Sequence, residues 1–374
     1  MTPATLVPSC VASALGGAAP TWSYTELTHN QDNQATDGIW RVTGPDGSAV
    51  LKVCVPTGSG SWQTSPEPRH WNHWRREPLA YRDGLTATVF ADAGIDGPRL
   101  LAADERADGS FALWLEDVTG VPGSQWPVER LAAFAHGLGF AQARWTGRLP
   151  AEPWLSRGWL RQYVESKSLP AELPWDLPDA AAVWPAALRT GLRRMWEQRD
   201  TLLAAAESGP RTLCHLDVWP LNLIARDDSP AHSPGAPAAR PAGGRTVLLD
   251  WAFVGEGAVG EDIANLIPDC VADGLIPGEL LPEISAAVIE GYLAGARDAG
   301  AALGEDELRR SVAAAGAAKY CWLAPLMLTR LAVGGRVGSA AYDVDHDPLA
   351  VLRRRTDLFE HLVSWSEQIL SPAR

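Results

Sequence analysis

Two short segments hold the residue types from which a phosphoryl-transfer centre can be built. The first is His215-Leu216-Asp217-Val218-Trp219-Pro220-Leu221-Asn222, and the second is Val247-Leu248-Leu249-Asp250-Trp251. Moving a phosphoryl group onto an alcohol asks for a carboxylate that orients the hydroxyl and takes its proton. It also asks for hard oxygen ligands for magnesium and a cation on the remaining phosphate oxygens. Asp217 and Asn222 put a proton acceptor and a metal ligand on one short loop, and Asp250 adds a second oxygen ligand at the end of an apolar run. Few residues can supply the cation as a lysine, because the chain has only Lys52, Lys167 and Lys319. Lys52 stands inside SAVLKVCV (Ser48 to Val55), where a charge is a poor core residue unless it is paired or reaches into a cleft. The plainer alternatives are a turn capped by Asp and Asn side chains and a strand-edge lysine with its head in solvent.

These residues need strands and helices to hold them. The first third is β-rich: Trp22 to Thr28, Gly38 to Thr43 and Ser48 to Val55 read as strands, with Pro45-Asp46-Gly47 as a turn before the last. Arg99 to Ala102 and Phe111 to Leu115 follow as two more. Cys10 to Ala19 reads as a short helix packed ahead of the first strand, and the Trp- and Arg-rich segment His70 to Leu85 has helical spacing in its second half. Beyond Val118 the texture changes. Val128 to Trp145, Pro185 to Ala206, Leu281 to Ala299 and Asp306 to Leu331 have the spacing of amphipathic or buried helices. The boundary falls at Glu116-Asp117-Val118. Leu221 to Ala225 and Thr246 to Leu249 read as strands separated by residues 227–245, DDSPAHSPGAPAARPAGGR, whose composition predicts a mobile surface loop.

The bulk numbers narrow the partners. The net charge of −13 is spread along the chain, with 8 basic against 14 acidic residues in 1–117 and 24 against 31 in the rest, which argues against nucleic acid. No run approaches the roughly 20 apolar residues of a membrane span, so no membrane partner is expected. Five scattered cysteines without a CxxC pair predict neither a disulfide framework nor a thiolate zinc site, and make a reducing cytoplasm the natural compartment. His70 and His73 lack a second ligand pair nearby and read as structural.

The order Lys52, Glu77, Asp217, Asn222, Asp250 is that of a protein-kinase-like core. In detail the chain resembles the aminoglycoside phosphotransferase and choline kinase family. There the catalytic loop reads HxDxxxxN, the metal aspartate ends an apolar-Asp-[Trp/Phe] strand, and a Gly…Asp-[Ile/Leu]-Ala segment follows. Here these are HLDVWPLN, LLDW and Gly260-Glu261-Asp262-Ile263-Ala264. The resemblance implies an α+β, two-lobed protein-kinase-like fold. Residues 1–117 would form a nucleotide-binding lobe with an antiparallel sheet and one main helix. Residues 118–374 would form a larger, mostly helical lobe with the catalytic loop, the metal site and the acceptor site.

By the same resemblance Asp217 is the catalytic base, and Asn222 and Asp250 ligate magnesium. Lys52 would hold the α- and β-phosphates and pair with Glu77, with Glu67 behind it. His215 would brace the loop, and Asp262 would tie the next helix to it. The backbone of Glu116 to Val118 would bind adenine, its acidic side chains left to solvent. One departure is plain: the GxGxxG phosphate loop is absent, and Asn30 to Gly38 stands in its place. The implied cofactors are ATP, with GTP as the alternative, and Mg2+. The implied acceptor is a hydroxyl of an aminoglycoside-, sugar- or amino-alcohol-like small molecule; a peptide Ser or Thr is the alternative. A nucleotide-binding pseudokinase is the reading from another class, although none of its usual losses is present. Glu256, Glu261, Asp269, Asp273 and the segment Asp343 to Asp347 favour a neutral or cationic acceptor if they line the cleft. If Arg353, Arg354 and Arg355 neutralise that segment, it carries no such signal.

Overall fold

Strand alternation explains how the first half is built. The computed structural model describes residues 7–226, 244–339 and 341–371; most of the polar 227–245 segment lies outside them. Its strands, in chain order, are β1 (Ser23–Glu26), β2 (Thr36–Thr43), β3 (Ser48–Cys54), β4 (Ile95–Asp96), β5 (Leu100–Glu105), β6 (Phe111–Glu116), β7 (Gly120–Pro122), β8 (Arg211–Cys214), β9 (Leu223–Arg226), β10 (Thr246–Leu248) and β11 (Gly255–Ala258). An antiparallel sheet runs β1-β2-β3-β6-β5, with Lys52 of β3 opposite Ile39 on one side and Leu113 on the other. Successive side chains of a strand point to opposite faces. Ala49, Leu51 and Val53 therefore bury against Val11 and Leu15 of the Ser9–Leu15 helix, with Val42 and Trp114. Val50 and Lys52 take the other face, toward a cleft. The helix Arg76–Arg82 lies beneath that face and carries Glu77 in its first turn.

Two smaller sheets hold the chemical loops. One runs β4-β10-β9-β7, with β9 and β10 antiparallel from Ala225 opposite Thr246 to Leu223 opposite Leu248; the other pairs β8 with β11. Around them pack helices. Val128–Ala143 and Leu281–Asp298 run against each other through small residues: a Cβ at Gly139 would meet the Tyr292 carbonyl at 2.1 Å, and one at Gly295 the His136 carbonyl at 1.8 Å. Glycine is required at both, and the close seam brings Gln142 and Tyr292 within reach of each other.

Two helical runs differ from the sequence expectation. Pro185 to Ala206 divides at Gln198, whose φ of −98° and ψ of 17° leave the helical region, into Ala186–Glu197 and Arg199–Glu207. Asp306 to Leu331 divides into Glu305–Tyr320 and Leu323–Ala332. Pro325 has no N–H to give a preceding carbonyl, and the restart places it in a first turn, where none is needed. Within Glu305–Ala332 an 18-residue apolar window is 78% buried inside the protein, so this stretch is a core element. The helices Trp159–Glu165, Pro178–Val183, Pro348–Arg354 and Thr356–Leu370 had no counterpart in the sequence reading.

Candidate active site

Residues far apart in sequence meet at the cleft face of β3. The Lys52 ammonium sits 2.6 Å from Glu77 Oε2 and 3.0 Å from Asp250 Oδ1. Glu77 Oε1 accepts a hydrogen bond from the Trp251 backbone at 3.3 Å, so one carboxylate holds both the lysine and the turn after Asp250. Glu67 has no part in this. The neighbouring Arg76, wholly buried, donates to the carbonyls of Trp71, Trp154 and Ala252 and so fixes this helix against the same turn.

Asp217 follows β8, Asn222 precedes β9, and Asp250 follows β10. The Asn222 amide nitrogen donates to Asp217 Oδ2 at 3.0 Å and to the Asp217 carbonyl at 2.9 Å. Among the described residues only Leu216 (φ 70°) and Asp250 (φ 56°) are non-glycines in the left-handed region. Such backbone costs on the order of 1 kcal/mol or more and persists where its surroundings over-determine it. Around Leu216 they do. Asp262 Oδ1 accepts from the Leu216 N–H at 2.7 Å, Asp262 Oδ2 from the His215 N–H at 2.9 Å, and Asn265 Nδ2 donates to the Leu216 carbonyl at 3.1 Å. Asp262 and Asn265 are three apart on the helix Glu261–Asp269, on one face. Gln142 donates to Asp262 Oδ2 at 2.7 Å and accepts from the Tyr292 hydroxyl at 2.8 Å, which completes a buried network. His215 is fully buried with its ring edge-on to Trp251, and burial pulls its pKa down to about 4, so it is a neutral packing element of the loop.

The two aspartates differ electrostatically. Burial, with help from Asp250, pushes Asp217 up to about 7. Burial also works to raise Asp250, but Lys52 beside it outweighs this and holds the carboxyl below its ordinary value. Burial works against the charge on Lys52, yet Asp250 and Glu77 raise its pKa well above the usual value, so it stays an ammonium. Environments that push two acids apart suit one to proton transfer and the other to a fixed charge. Asn222 gives its nitrogen to Asp217 and Asp250 gives Oδ1 to Lys52, which leaves one hard oxygen on each for a cation. That donor set fits magnesium, which takes one or two protein oxygens and fills its shell with phosphates and water. Among the described residues no cluster of three or more His, Cys, Asp or Glu forms a dedicated metal cage.

The cleft holds about 670 Å³. Leu27, Ile39 and Val50 form its roof, and Leu221, Ile224 and Leu249 lie opposite. Glu116 and Val118 line it at the end of β6. The acidic side chains there are not left to solvent as the sequence suggested. Glu116 holds Arg226 at 2.6 Å, and Asp117 holds Arg41 at 2.8 Å and the Ser48 hydroxyl at 2.7 Å, so this connection is pinned to β9, β2 and β3. His29, Asn30 and Asn33 reach the cleft from the β1–β2 connection. The other end is lined by Trp62, Trp219, Phe253, Asp269, Asp273 and Tyr342, with Trp219 edge-on to Tyr342 at 5.0 Å. Sequence reasoning missed the roof and floor residues, Trp62, Trp219 and Tyr342. Strand alternation around Lys52 marked Val50, and Trp219 stands inside the HLDVWPLN motif; for Trp62 and Tyr342 no local signal existed.

No protein-family model and no curated protein sequence matches the chain. Solved structures do match. Amicoumacin kinase in complex with AMP-PNP, Ca2+ and Ami aligns at a TM-score of 0.52 and 13% identity, over 94% of this chain and 92% of that one. Choline kinase from Cryptosporidium parvum Iowa II aligns at 0.52 and 11%, over 97% and 95%. A choline/ethanolamine kinase family protein from Mesorhizobium loti aligns at 0.50 and 16%, over 96% of each. Nearly whole chains superpose at sequence identities this low, and with the geometry above they establish that this chain has the two-lobed, protein-kinase-like α+β fold of these structures.

Proposed function

We propose that the protein is an ATP- and Mg2+-dependent phosphotransferase that moves the γ-phosphoryl group to a hydroxyl of a small molecule. The observation that carries this is the meeting of Lys52, Glu77, Asp217, Asn222 and Asp250 in a single cleft. Lys52, held charged by two carboxylates, positions phosphate oxygens. Asp217, held by Asn222 and by the strained loop beneath it, orients the acceptor hydroxyl and takes its proton. Asn222 and Asp250 would hold magnesium, which when bound neutralises charge on the transferring phosphates. The apolar roof and floor take the nucleotide base, and the backbone of Glu116 to Val118 borders it. The acceptor lies at the aromatic end, where ring faces favour a neutral or cationic natural-product-like alcohol over an anionic one. The names of the structural neighbours, kinases of small molecules, support that acceptor class.

The test is ATP consumption against a panel of cationic, neutral and anionic alcohols and Ser/Thr peptides, with mass detection of the phosphorylated product and Asp250→Ala as the control. A phosphorylated small alcohol made by the wild type and not by the variant is the expected result. A panel in which only peptides gain phosphate overturns the acceptor class, and turnover undiminished in the variant overturns the site.

A further inference from the structure

Lys167 stands just beyond the helix Trp159–Glu165, and its head has no ordinary partner. Its ammonium nitrogen lies 3.5 Å from the centre of the Tyr163 ring, 3.9 Å from Trp62, 4.6 Å from Trp322 and 5.9 Å from Trp71. The nitrogen is buried, and among the described residues no hydrogen-bond acceptor meets it. An ammonium taken out of water without an acceptor is costly. What surrounds it is a set of ring faces, whose quadrupoles attract cations and which proteins use to hold ammonium ligands. Burial pulls the Lys167 pKa well down, Lys319 pulls the same way, and Asp32 opposes them.

The rings come from both halves of the chain. Trp62 and Trp71 follow β3, while Tyr163 and Trp322 belong to the helical half. Trp62 meets Tyr163 edge-on at 5.7 Å, and Tyr163 meets Trp322 edge-on at 6.0 Å, so the walls brace one another. The box also adjoins the cleft. Trp62 lines it, and Trp71 packs at 5.7 Å on Phe253, which lines it too.

We propose that these four rings form an ammonium-binding box beside the acceptor end of the cleft, and that Lys167 is its built-in occupant, which keeps free quaternary ammonium ligands out. The lysine head and a trimethylammonium head need the same ring faces, so only one fits. Lys167 is then a specificity-determining residue: the enzyme rejects quaternary ammonium alcohols because its own chain already fills their place. The word acceptor rests on the function proposed above; the box and its occupant do not.

The test is calorimetric titration of the full-length protein with tetramethylammonium chloride at constant ionic strength, with neopentyl alcohol as an uncharged compound of similar head shape. Lys167→Ala, which empties the box, is expected to bind tetramethylammonium at least tenfold more tightly than the wild type does. It should also exceed Lys167→Met, which fills the box without charge, and should prefer the cation over the alcohol by a similar factor. Equal binding by all three proteins, or equal binding of cation and alcohol by the alanine variant, overturns the proposal. A second measurement needs only a well-folded wild type. With three lysines, 13C-lysine NMR should show the Lys167 ε-methylene shifted upfield by the surrounding rings, the signal being distinguished from Lys319 with Lys319→Met. A solvent-like shift overturns the proposal even if the alanine variant does not fold. Neither readout involves ATP, so failure here and failure of the phosphotransfer reading are separate results.

Discussion

Asp262→Ala tests whether the loop under Asp217 is held by the network described. The carboxylate accepts from the His215 N–H at 2.9 Å, the Leu216 N–H at 2.7 Å and the Gln142 amide at 2.7 Å, all buried. Alanine leaves the His215 and Leu216 N–H groups without an acceptor and the Gln142 amide with only its bond to the Leu213 carbonyl at 3.0 Å. Each orphaned group costs about 1–3 kcal/mol, and partial relaxation or entry of water brings the expected total to about 4 kcal/mol. Unfolding entropy near 60 °C is about 2.1 cal/mol/K per residue, or roughly 0.8 kcal/mol/K for 374 residues, so the melting temperature should fall by about 5 °C. Activity should suffer beyond stability, because Leu216 at φ 70° loses a bond that keeps it there and Asp217 is the next residue. Turnover should drop by about tenfold or more while KM for ATP changes little, since Lys52 and Glu77 are held by other elements. Asp262→Asn, which keeps one acceptor oxygen, should fall between. Scanning calorimetry and steady-state kinetics at a temperature well below both melts read the two effects. A variant that melts within about 1 °C of the wild type and turns over normally would refute the argument that this carboxylate positions the loop.

Asp250→Ala should fold and retain less than about a tenth of wild-type turnover, because the remaining oxygen donor and Lys52 cannot replace its share of the metal site. In Asp217→Asn, nucleotide affinity should hold while transfer falls by about 10² or more; equal loss of both would make Asp217 structural. Glu261 is a buried carboxyl whose Oε2 accepts from the Ala258 N–H, and burial pushes its pKa from 4.5 up to about 7. Its folded value is raised, so its stabilising contribution is present below about pH 4.5 and is lost as pH rises through 7. That loss is worth about 3 kcal/mol at most. Glu261→Gln escapes it, so its melting temperature relative to wild type should be higher at pH 8 than at pH 5, and a pH-independent difference would contradict this. Replacing residues 229–243, which lie outside the described residues, with a short Gly-Ser turn should leave turnover and stability nearly unchanged. The Arg226 N–H already meets the Arg245 carbonyl at 3.1 Å, so the strands need only a short closure. A drop in acceptor turnover alone would make that segment part of the acceptor site.

The residues that meet in the cleft were legible because each is an odd residue in its local setting. Lys52 interrupts an apolar strand, and Asp217, Asn222 and Asp250 punctuate two strand-like runs. Local patterning also carried the sheet half, where alternation and turn residues agree. It carried less of the helical half. Gln198 has no sequence feature that announces a break, and β8 and β11 are four residues each, paired across a long separation. Trp62, Tyr163 and Trp322 lie 101 and 159 positions apart. No periodicity links them, and only the packed chain reveals that they surround one lysine head.

The charge of the cleft argues the same point from the other direction. Net acidity suggested a field of carboxylates around the acceptor, yet most of them are locally neutralised. Arg354 binds Asp343 and Asp345, and Arg355 binds Asp343 and Asp273. Arg157 binds Glu256, and Lys319 stands 3.8 Å from Asp269. Arg353, the third arginine of that run, takes no part in these pairs. Of these carboxylates Asp269 and Asp273 line the cleft, and each has a cation behind it, so the −13 of the whole chain does not act there as a bulk field. What distinguishes that end is aromatic surface: Trp62, Trp219, Phe253 and Tyr342. On the function proposed above, discrimination among acceptors would rest on those ring faces and on what occupies them, a short-range selection that salt does little to screen.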